Sequence, residues 1–192
     1  ASVPVTSVKE LIEYAKAKPQ QVSYASNGNA TASHIAGELL RYRAGFSWTH
    51  VPYKGAGPAI TDVVGGHVQF LIGAISTSLP HVRAGKIRGI AVTGLQRSSA
   101  VPELPTVAES GFPNFEVVQW FGLLAPAKTP APIIKQFNTA VVEMYRDAQF
   151  AERFKRQGLE PSTTTPEEFA KFIRNELAMW TKVFKEVGIS LN

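Results

Sequence analysis

The stretch Val22-Ser-Tyr-Ala-Ser-Asn-Gly-Asn-Ala-Thr-Ala-Ser-His-Ile-Ala-Gly-Glu-Leu-Leu40 decides the fold, because it predicts a strand, a polar turn and a helix in direct succession. The mostly apolar residues 22–25 predict a short buried strand. The turn at residues 26–29 ends this strand, since Asn and Gly tolerate a positive φ. Thr31 can cap the following helix, in which Ile35 and Leu39 recur at helical spacing.

The turn of this stretch suits an anionic ligand. The first N–H groups of a helix have no partner within the helix, and the helix dipole adds partial positive charge there. We therefore predict ligand contacts at Ser26, Asn27, Gly28, Asn29, Ala30 and Thr31. An ordinary connection from strand to helix needs the same flexible residues and the same cap, so this loop taken alone favours the ordinary connection.

Composition indicates a globular protein and excludes several functions. The 192 residues suffice for one domain or two small ones, with 44% hydrophobic and 18% charged residues. The net charge of +5 is scattered, which argues against a nucleic-acid groove. The absence of cysteine excludes disulfides, thiolate catalysis and cysteine-ligated zinc. The chain begins with Ala rather than Met, and we expect a further segment upstream.

The first half alternates strands and helices. Apolar strands are predicted at residues 22–25, 48–53, 68–72 and 87–93, with helices before and between them. Strands of this kind joined through helices predict a parallel sheet covered on both faces. Ligands bind beyond the carboxyl ends of such strands, where the turns at 26–31, 54–57 and 73–78 would meet. Because three such turns would lie at one edge, a shared rim that faces a ligand is now as well supported as three ordinary connections.

The second half is predicted to be mostly helical. After a proline-rich connection, residues 115–124 predict an apolar strand. Helices follow from residue 129, over 150–157, and from the capping sequence Thr165-Pro-Glu-Glu onward. These helices have no sheet of their own to cover, apart from the end of the 115–124 strand.

No catalytic or metal-binding pattern stands out. The four histidines lack the spacing of metal ligands, and Ser26 and Ser33 lie outside a Gly-x-Ser-x-Gly sequence. We predict that His34 is a structural hydrogen-bond partner rather than a base, and that Lys54 either meets an anion at the rim or stays solvated. We therefore predict no catalytic residue, no metal and no cofactor, and a carboxylate ligand held by neutral donors.

Seven segments of the chain together form a family pattern. The segments are Tyr24-Ala-Ser-Asn-Gly-Asn-Ala-Thr-Ala-Ser-His-Ile-Ala-Gly-Glu38, His50-Val-Pro-Tyr-Lys-Gly55, Leu79-Pro-His-Val-Arg-Ala-Gly-Lys86, Ala91-Val-Thr93, Pro105-Thr-Val-Ala-Glu-Ser-Gly111, Trp120-Phe-Gly-Leu-Leu-Ala-Pro126, and Thr165-Pro-Glu-Glu-Phe169 with Trp180. Together they resemble the Bug or TctC-like solute receptors of tripartite tricarboxylate transporters. They match from end to end, in order and with similar gaps, although each alone is weak.

The resemblance implies an α/β fold of the type II periplasmic-binding-protein class. Residues 1–115 would form one complete doubly wound lobe, and residues 116–192 a return crossover strand and the C-terminal helices of the other lobe. An N-terminal segment of the family would then be absent from this chain. We expect the truncated chain to self-associate, because its C-terminal helices carry large apolar side chains.

In function, the resemblance implies a periplasmic receptor whose signal peptide lies outside this chain. Such a receptor captures a small carboxylate and delivers it to the membrane permease subunits of the transporter. It binds no nucleic acid and is not an enzyme. The alternative is the effector-sensing domain of a LysR-type transcription regulator, which has a similar two-lobed fold. The end-to-end receptor signatures argue against this alternative, and no base–nucleophile pair supports an enzyme on the same scaffold.

Two departures from the family bear on the ligand. Many members carry an acid in the turn after the third strand, where this chain has Gly73 and Ala74. The resemblance therefore places Gly73 and Ala74 at the ligand and implies a ligand without an essential ammonium group. Ala30 stands where a glycine is common, which predicts a slightly less open central turn.

Overall fold

The computed structural model describes residues 3–188, which divide into two compact units on either side of the junction between residues 119 and 120. The first unit contains a three-stranded sheet, and the second is helical. In chain order the elements are α1 (Val8–Ala17), β1 (Ser23–Ser26), α2 (Ala32–Ala44), β2 (Thr49–Pro52), α3 (Ala56–Gly65), β3 (Phe70–Leu71), α4 (Ile75–Arg83), α5 (Ala131–Arg146), α6 (Ala148–Arg156) and α7 (Pro166–Val187).

The sheet is parallel, with β1 in the middle and the strand order β2-β1-β3. Adjacent residues of β1 point to opposite faces. The Tyr24 hydroxyl donates to Glu38 of α2, whereas Ala25 packs with Ala59 of α3 and with Val68. Helices therefore cover both faces, which confirms the predicted doubly wound arrangement. The chain leaves β1 towards β2 on one side and then crosses to β3 on the other, and ligands bind at such a reversal of strand order.

The helix ends agree with the capping residues predicted from the sequence. The Thr31 hydroxyl accepts from the His34 N–H at the start of α2, and Gly45 ends this helix in the left-handed conformation. At the start of α7, Thr165 and Glu168 form a reciprocal capping box. These ends depend on contacts within three or four residues, so the local sequence suffices to place them.

Two predicted strands are not formed. Residues 87–93 make only one isolated parallel bridge, between Val92 and Thr106, and residues 115–124 form no strand in the described part of the chain. Phe115 and Val117 are buried as their apolar character indicates, and the Val117 N–H donates to the Thr93 carbonyl over 2.9 Å. Residues 118–124 are exposed, so the apolar pattern predicted burial correctly only for the first part of this segment. A strand also requires a continuous ladder with a neighbour.

The turn after β3 is shorter than predicted. Helix α4 begins at Ile75, so Ser76, Thr77 and Ser78 lie in its first turn rather than in a loop. Helix α3 likewise begins early, at Ala56. Polar residues and proline fit the first turn because its N–H groups have no partner within the helix.

The second unit is held together by aromatic side chains. The indole N–H groups of Trp120 and Trp180 both donate to the same oxygen of Glu176, at 3.2 and 3.0 Å. The ring of Phe169 packs directly against Gly122 and edge-on to Trp120. None of the residues of α5 or α6 is fully buried. No helix in residues 3–188 is both long and apolar enough to span a bilayer.

Candidate functional site

Three turns that follow the three strands lie side by side at the carboxyl edge of the sheet. The Tyr53 N–H donates to the Ser26 carbonyl over 3.1 Å, and the Gly55 N–H donates to the Asn27 carbonyl over 3.3 Å. On the other side of β1, the Ile72 N–H donates to the Ala25 carbonyl over 3.1 Å. These bonds bring the three predicted ligand segments, at 26–31, at Lys54 and at 73–74, to one edge.

The helices that begin at this edge differ from α1 and α7 in their electrostatics. None of α2, α3 and α4 has an acidic residue in its first turn, a feature that they share with α5 and α6, whereas α1 has Glu10 and α7 has Glu167 and Glu168. The N-cap residues Gly55 and Ala74 provide no side-chain hydrogen bond to α3 and α4. Three helix dipoles therefore direct uncompensated positive ends towards the same edge, which suits an anion.

Inside the first turn, the side-chain hydroxyls bond to the turn itself. Ser26 is 0% exposed, and its Oγ lies 2.6 Å from Nε2 of His50 and accepts from the Gly28 N–H. The Thr31 hydroxyl donates to the Gly28 carbonyl over 2.7 Å, and the Ser33 hydroxyl accepts from the Asn27 N–H over 2.9 Å. The backbone N–H groups of residues 27, 28, 30 and 31 also have partners in the turn and in α2. The donors left for a ligand are therefore mainly the N–H groups of the first helical turns.

The other predicted site residues differ in exposure. Asn29, Ala30, Lys54 and Gly73 are exposed, and Ala74 is half-buried. The side-chain oxygen of Asn27 is buried and has no hydrogen-bond partner in the described part of the chain. Contact of these residues with a ligand stays a prediction.

Sequence reasoning missed the aromatic stack beneath the turn. The His34 and His50 rings lie 4.0 Å apart with an interplanar angle of 10°, and the Tyr24 ring stacks on His50 at 5.0 Å. Tyr24 also donates to Glu38, which accepts from Arg41 over 2.7 Å. The register that pairs Tyr24 with His50 brings these groups together, and no local pattern reveals that register.

Burial lowers the pKa of both histidines. Desolvation is the largest influence on His50, the neighbouring His34 adds to it, and the Glu38 carboxylate opposes it, so that the pKa of His50 falls to about 4. Desolvation likewise lowers the pKa of His34 against the effect of Glu38. Both imidazoles are therefore uncharged at neutral pH. No group of three or more potential metal ligands occurs within residues 3–188.

Ala30 adopts a left-handed backbone conformation, with φ of +59°. This conformation places Cβ too close to the next carbonyl oxygen in any residue except glycine. We expect Ala30→Gly to raise the free energy of unfolding by about 1 kcal/mol. Ala32→Gly, two residues on and at the first helical position, is the control and should be neutral or destabilising. Equal destabilisation by both substitutions in urea denaturation would contradict this prediction.

Comparison with known families agrees with this geometry. The sequence model of one protein family, described as the tripartite tricarboxylate transporter family receptor (TctC), matches residues 1–189. The chain belongs to the TctC receptor family. This confirms the family resemblance read from the sequence, and it identifies a receptor family rather than a LysR-type regulator.

Similar TctC-family proteins are known in sequence and in structure. The chain is 36% identical to Protein BugT of Bordetella pertussis over 96% of this chain and 57% of BugT. It is 35% identical to an R. palustris protein solved with adipate, with a TM-score of 0.93, over 98% of this chain and 63% of that one. MatC from Rhodopseudomonas palustris, solved with bound malate, is 29% identical over 94% of this chain and 62% of MatC, with a TM-score of 0.78.

These matches confirm the predicted α/β periplasmic-binding-protein fold. They also show that the chain spans a little over half the length of its curated relative BugT and somewhat more of its solved relatives. The assignment of residues 1–115 and 116–192 to two different lobes stays a prediction.

Proposed function

We propose that the protein acts as a periplasmic receptor that captures a small carboxylate and delivers it to the membrane subunits of a tripartite tricarboxylate-type transporter. Family membership supports the receptor role. Two structural relatives were solved with dicarboxylates, adipate in one and malate in the other. Solved relatives are described as a periplasmic transporter and a periplasmic binding protein, which supports the location.

The observation that carries this proposal is the set of helix N-termini at the carboxyl edge of the sheet. The helices α2, α3 and α4 all begin there without an acid in the first turn, and neither α3 nor α4 has a side-chain cap. A carboxylate would receive backbone N–H bonds from the first turns, with the residues at 26–31, Lys54, Gly73 and Ala74 around it. Lys54 adds a cation to the same edge.

The experiment that tests the proposal compares ligands that differ by one ammonium group. Because Gly73 and Ala74 offer no carboxylate to an ammonium group, we expect calorimetric titration of the full-length protein to show tighter binding of adipate than of 2-aminoadipate. Malate should likewise bind more tightly than aspartate. Equal or tighter binding of the amino acids would contradict the predicted ligand class, and failure of every carboxylate to bind would contradict the receptor function.

We also propose that the 192-residue chain alone binds carboxylates weakly and self-associates. The second unit exposes large apolar side chains, with Phe121, Leu123, Leu124 and Phe137 between 68% and 78% exposed. Soluble monomers seldom expose apolar patches of more than several hundred Å². Light scattering should give a mass above the 20.8 kDa of one chain. A stable monomer that binds adipate as tightly as the full-length protein would contradict this expectation.

A further inference from the structure

A stack of three rings connects the middle of the sheet to the turn that starts α2. The Tyr24 ring lies on His50 with an interplanar angle of 27°, and His50 lies on His34 with an angle of 10°. Tyr24 is 0% exposed and belongs to the central strand, so one end of the stack is fixed in the core. The other end, His34, belongs to the first turn of α2.

Both histidines form hydrogen bonds that shape this turn. Nε2 of His50 lies 2.6 Å from the Ser26 hydroxyl, which in turn accepts from the Gly28 N–H. Nδ1 of His34 accepts from the Ala30 N–H over 3.1 Å. Ala30 is the residue at φ of +59°, a conformation that an alanine adopts only when the surroundings hold it there.

The bond from Ala30 exists in only one protonation state of His34. An imidazole nitrogen accepts a hydrogen bond when it carries no proton, and both nitrogens are donors once the ring is charged. A proton on Nδ1 of His34 would therefore place two donors opposite each other and remove the support of the Ala30 backbone. A charge on His50 would act on the same ring, because the two imidazoles are stacked at 4.0 Å.

We propose that the stacked imidazoles of His34 and His50 are positioning residues that hold the Ala30 turn in its left-handed conformation only while both are uncharged, so that acidification releases the turn and the carboxylate bound there. The release of ligand rests on the proposed receptor function. The behaviour of the turn does not, and it can be measured without any ligand.

The charged and titratable groups that face the stack come from β1 and α2. Glu38 favours a proton on either ring, but its carboxylate accepts from the Tyr24 hydroxyl and from the Arg41 guanidinium, which compensate its charge. Burial outweighs Glu38 and lowers the pKa of both histidines, that of His50 to about 4. Burial also raises the pKa of Tyr24, which therefore stays neutral.

The direction of the pH dependence follows from these shifts. A histidine whose pKa is lower in the folded protein than its ordinary value of about 6.5 stabilises the fold in its uncharged form. That stabilisation is complete above the ordinary value and is lost as the pH falls through the folded value. The support of the turn should therefore weaken below neutral pH and disappear as the pH approaches about 4, the pKa of His50.

The direct test follows the imidazole nitrogens and the Ala30 amide by NMR as the full-length protein is acidified. We expect Nδ1 of His34 to be unprotonated at neutral pH and both rings to titrate below the ordinary histidine value. Exchange of the Ala30 amide, relative to its rate in an unstructured peptide, should accelerate over the same pH range. A protonated Nδ1 of His34 at neutral pH, or Ala30 protection that does not change as His34 titrates, would overturn the proposal.

Two substitutions of His34 distinguish its role as a hydrogen-bond acceptor from its ability to become charged in acid. In His34→Asn the side-chain oxygen can take the place of Nδ1 but cannot be charged, so acid should release Ala30 only where His50 itself becomes charged, near its pKa of about 4. In His34→Phe the ring remains but the acceptor is lost, so protection should be absent throughout. His67→Gln, at an exposed histidine between α3 and β3, is the control. In this variant the protection of the Ala30 amide should depend on pH as it does in the unchanged protein. Acid-dependent loss of protection in His34→Asn as large as in the unchanged protein would overturn the proposal.

Binding of adipate over the same pH range tests the release of ligand. We expect the affinity of the unchanged protein to fall several-fold more than that of His34→Asn as the pH is lowered from about 7 to about 5. The Asn variant measures the part of the fall that is due to protonation of adipate itself. An equal fall in both would overturn the ligand part of the proposal. If the Ala30 turn responds to acid but no carboxylate binds at any pH, the support of the turn is established and the receptor function fails.

Discussion

Gly37→Ala is expected to destabilise the first unit by about 3 kcal/mol, near the upper end of the usual cost of overpacking a core. A methyl group at this position would lie 2.7 Å from the Tyr24 hydroxyl oxygen and closer still to two carbons of the ring. The ring has no room to move, because it is 0% exposed and lies against Trp48 and His50. This cost exceeds the gain of about 1 kcal/mol that alanine brings to the interior of a helix.

The matched control for this substitution is Gly65→Ala at the end of α3. A Cβ at Gly65 meets only the ring of the exposed His67, which is free to move, so this variant should be neutral or slightly stabilising in urea denaturation. In a Tyr24→Leu background, Gly37→Ala should cost less than in the unchanged protein, because the ring and hydroxyl that it meets are gone. Similar stabilities for the two alanine variants would contradict the proposed packing of Tyr24 against α2.

Ser26→Ala should lower the free energy of unfolding by about 1–3 kcal/mol. The substitution removes a fully buried hydroxyl, and it leaves both the Gly28 N–H and Nε2 of His50 without their partner. A buried polar group that loses its partner costs more than the hydrogen bond itself contributes, since water cannot replace the partner.

Ser47→Ala is the control, because Ser47 is exposed in the connection between α2 and β2. Its effect should stay within about 0.5 kcal/mol, as for most surface substitutions. Thermal or urea denaturation of both variants measures the difference. If Ser26→Ala is as stable as Ser47→Ala, the hydroxyl of Ser26 does not support the turn in the way the structure indicates.

Family membership could be read from the sequence because the receptor signatures occur in order along the whole chain, and the family model confirms it. The sequence was enough to place the candidate site at the carboxyl edge of the sheet, since Gly- and hydroxyl-rich turns follow successive apolar strands. Its details could not be predicted. The sequence predicted that Ser26 and Thr31 contact the ligand, which stays a prediction. It did not reveal that the Ser26 hydroxyl accepts from the Gly28 N–H or that the Thr31 hydroxyl donates to the Gly28 carbonyl.

Local sequence specified the features whose partners lie within a few residues along the chain. These include the cap of α2 at Thr31, the capping box at Thr165 and the left-handed glycines that end α2 and α7. Such features depend on backbone conformation and short-range hydrogen bonds, so neighbouring residues specify them. The periodicity of apolar residues likewise indicated buried segments in the first unit, whereas residues 118–124 are mostly apolar but exposed.

Which apolar segments pair, and which distant side chains meet, depends on contacts that form only in the folded chain. Residues 87–93 and 115–124 are apolar enough for strands, yet no continuous ladder forms along them in the described part of the chain. The stack of Tyr24, His50 and His34 depends on the register of β1 against β2 and on the packing of α2 over β1. Strand register and helix packing join residues that are distant in sequence, and therefore no local pattern encodes them.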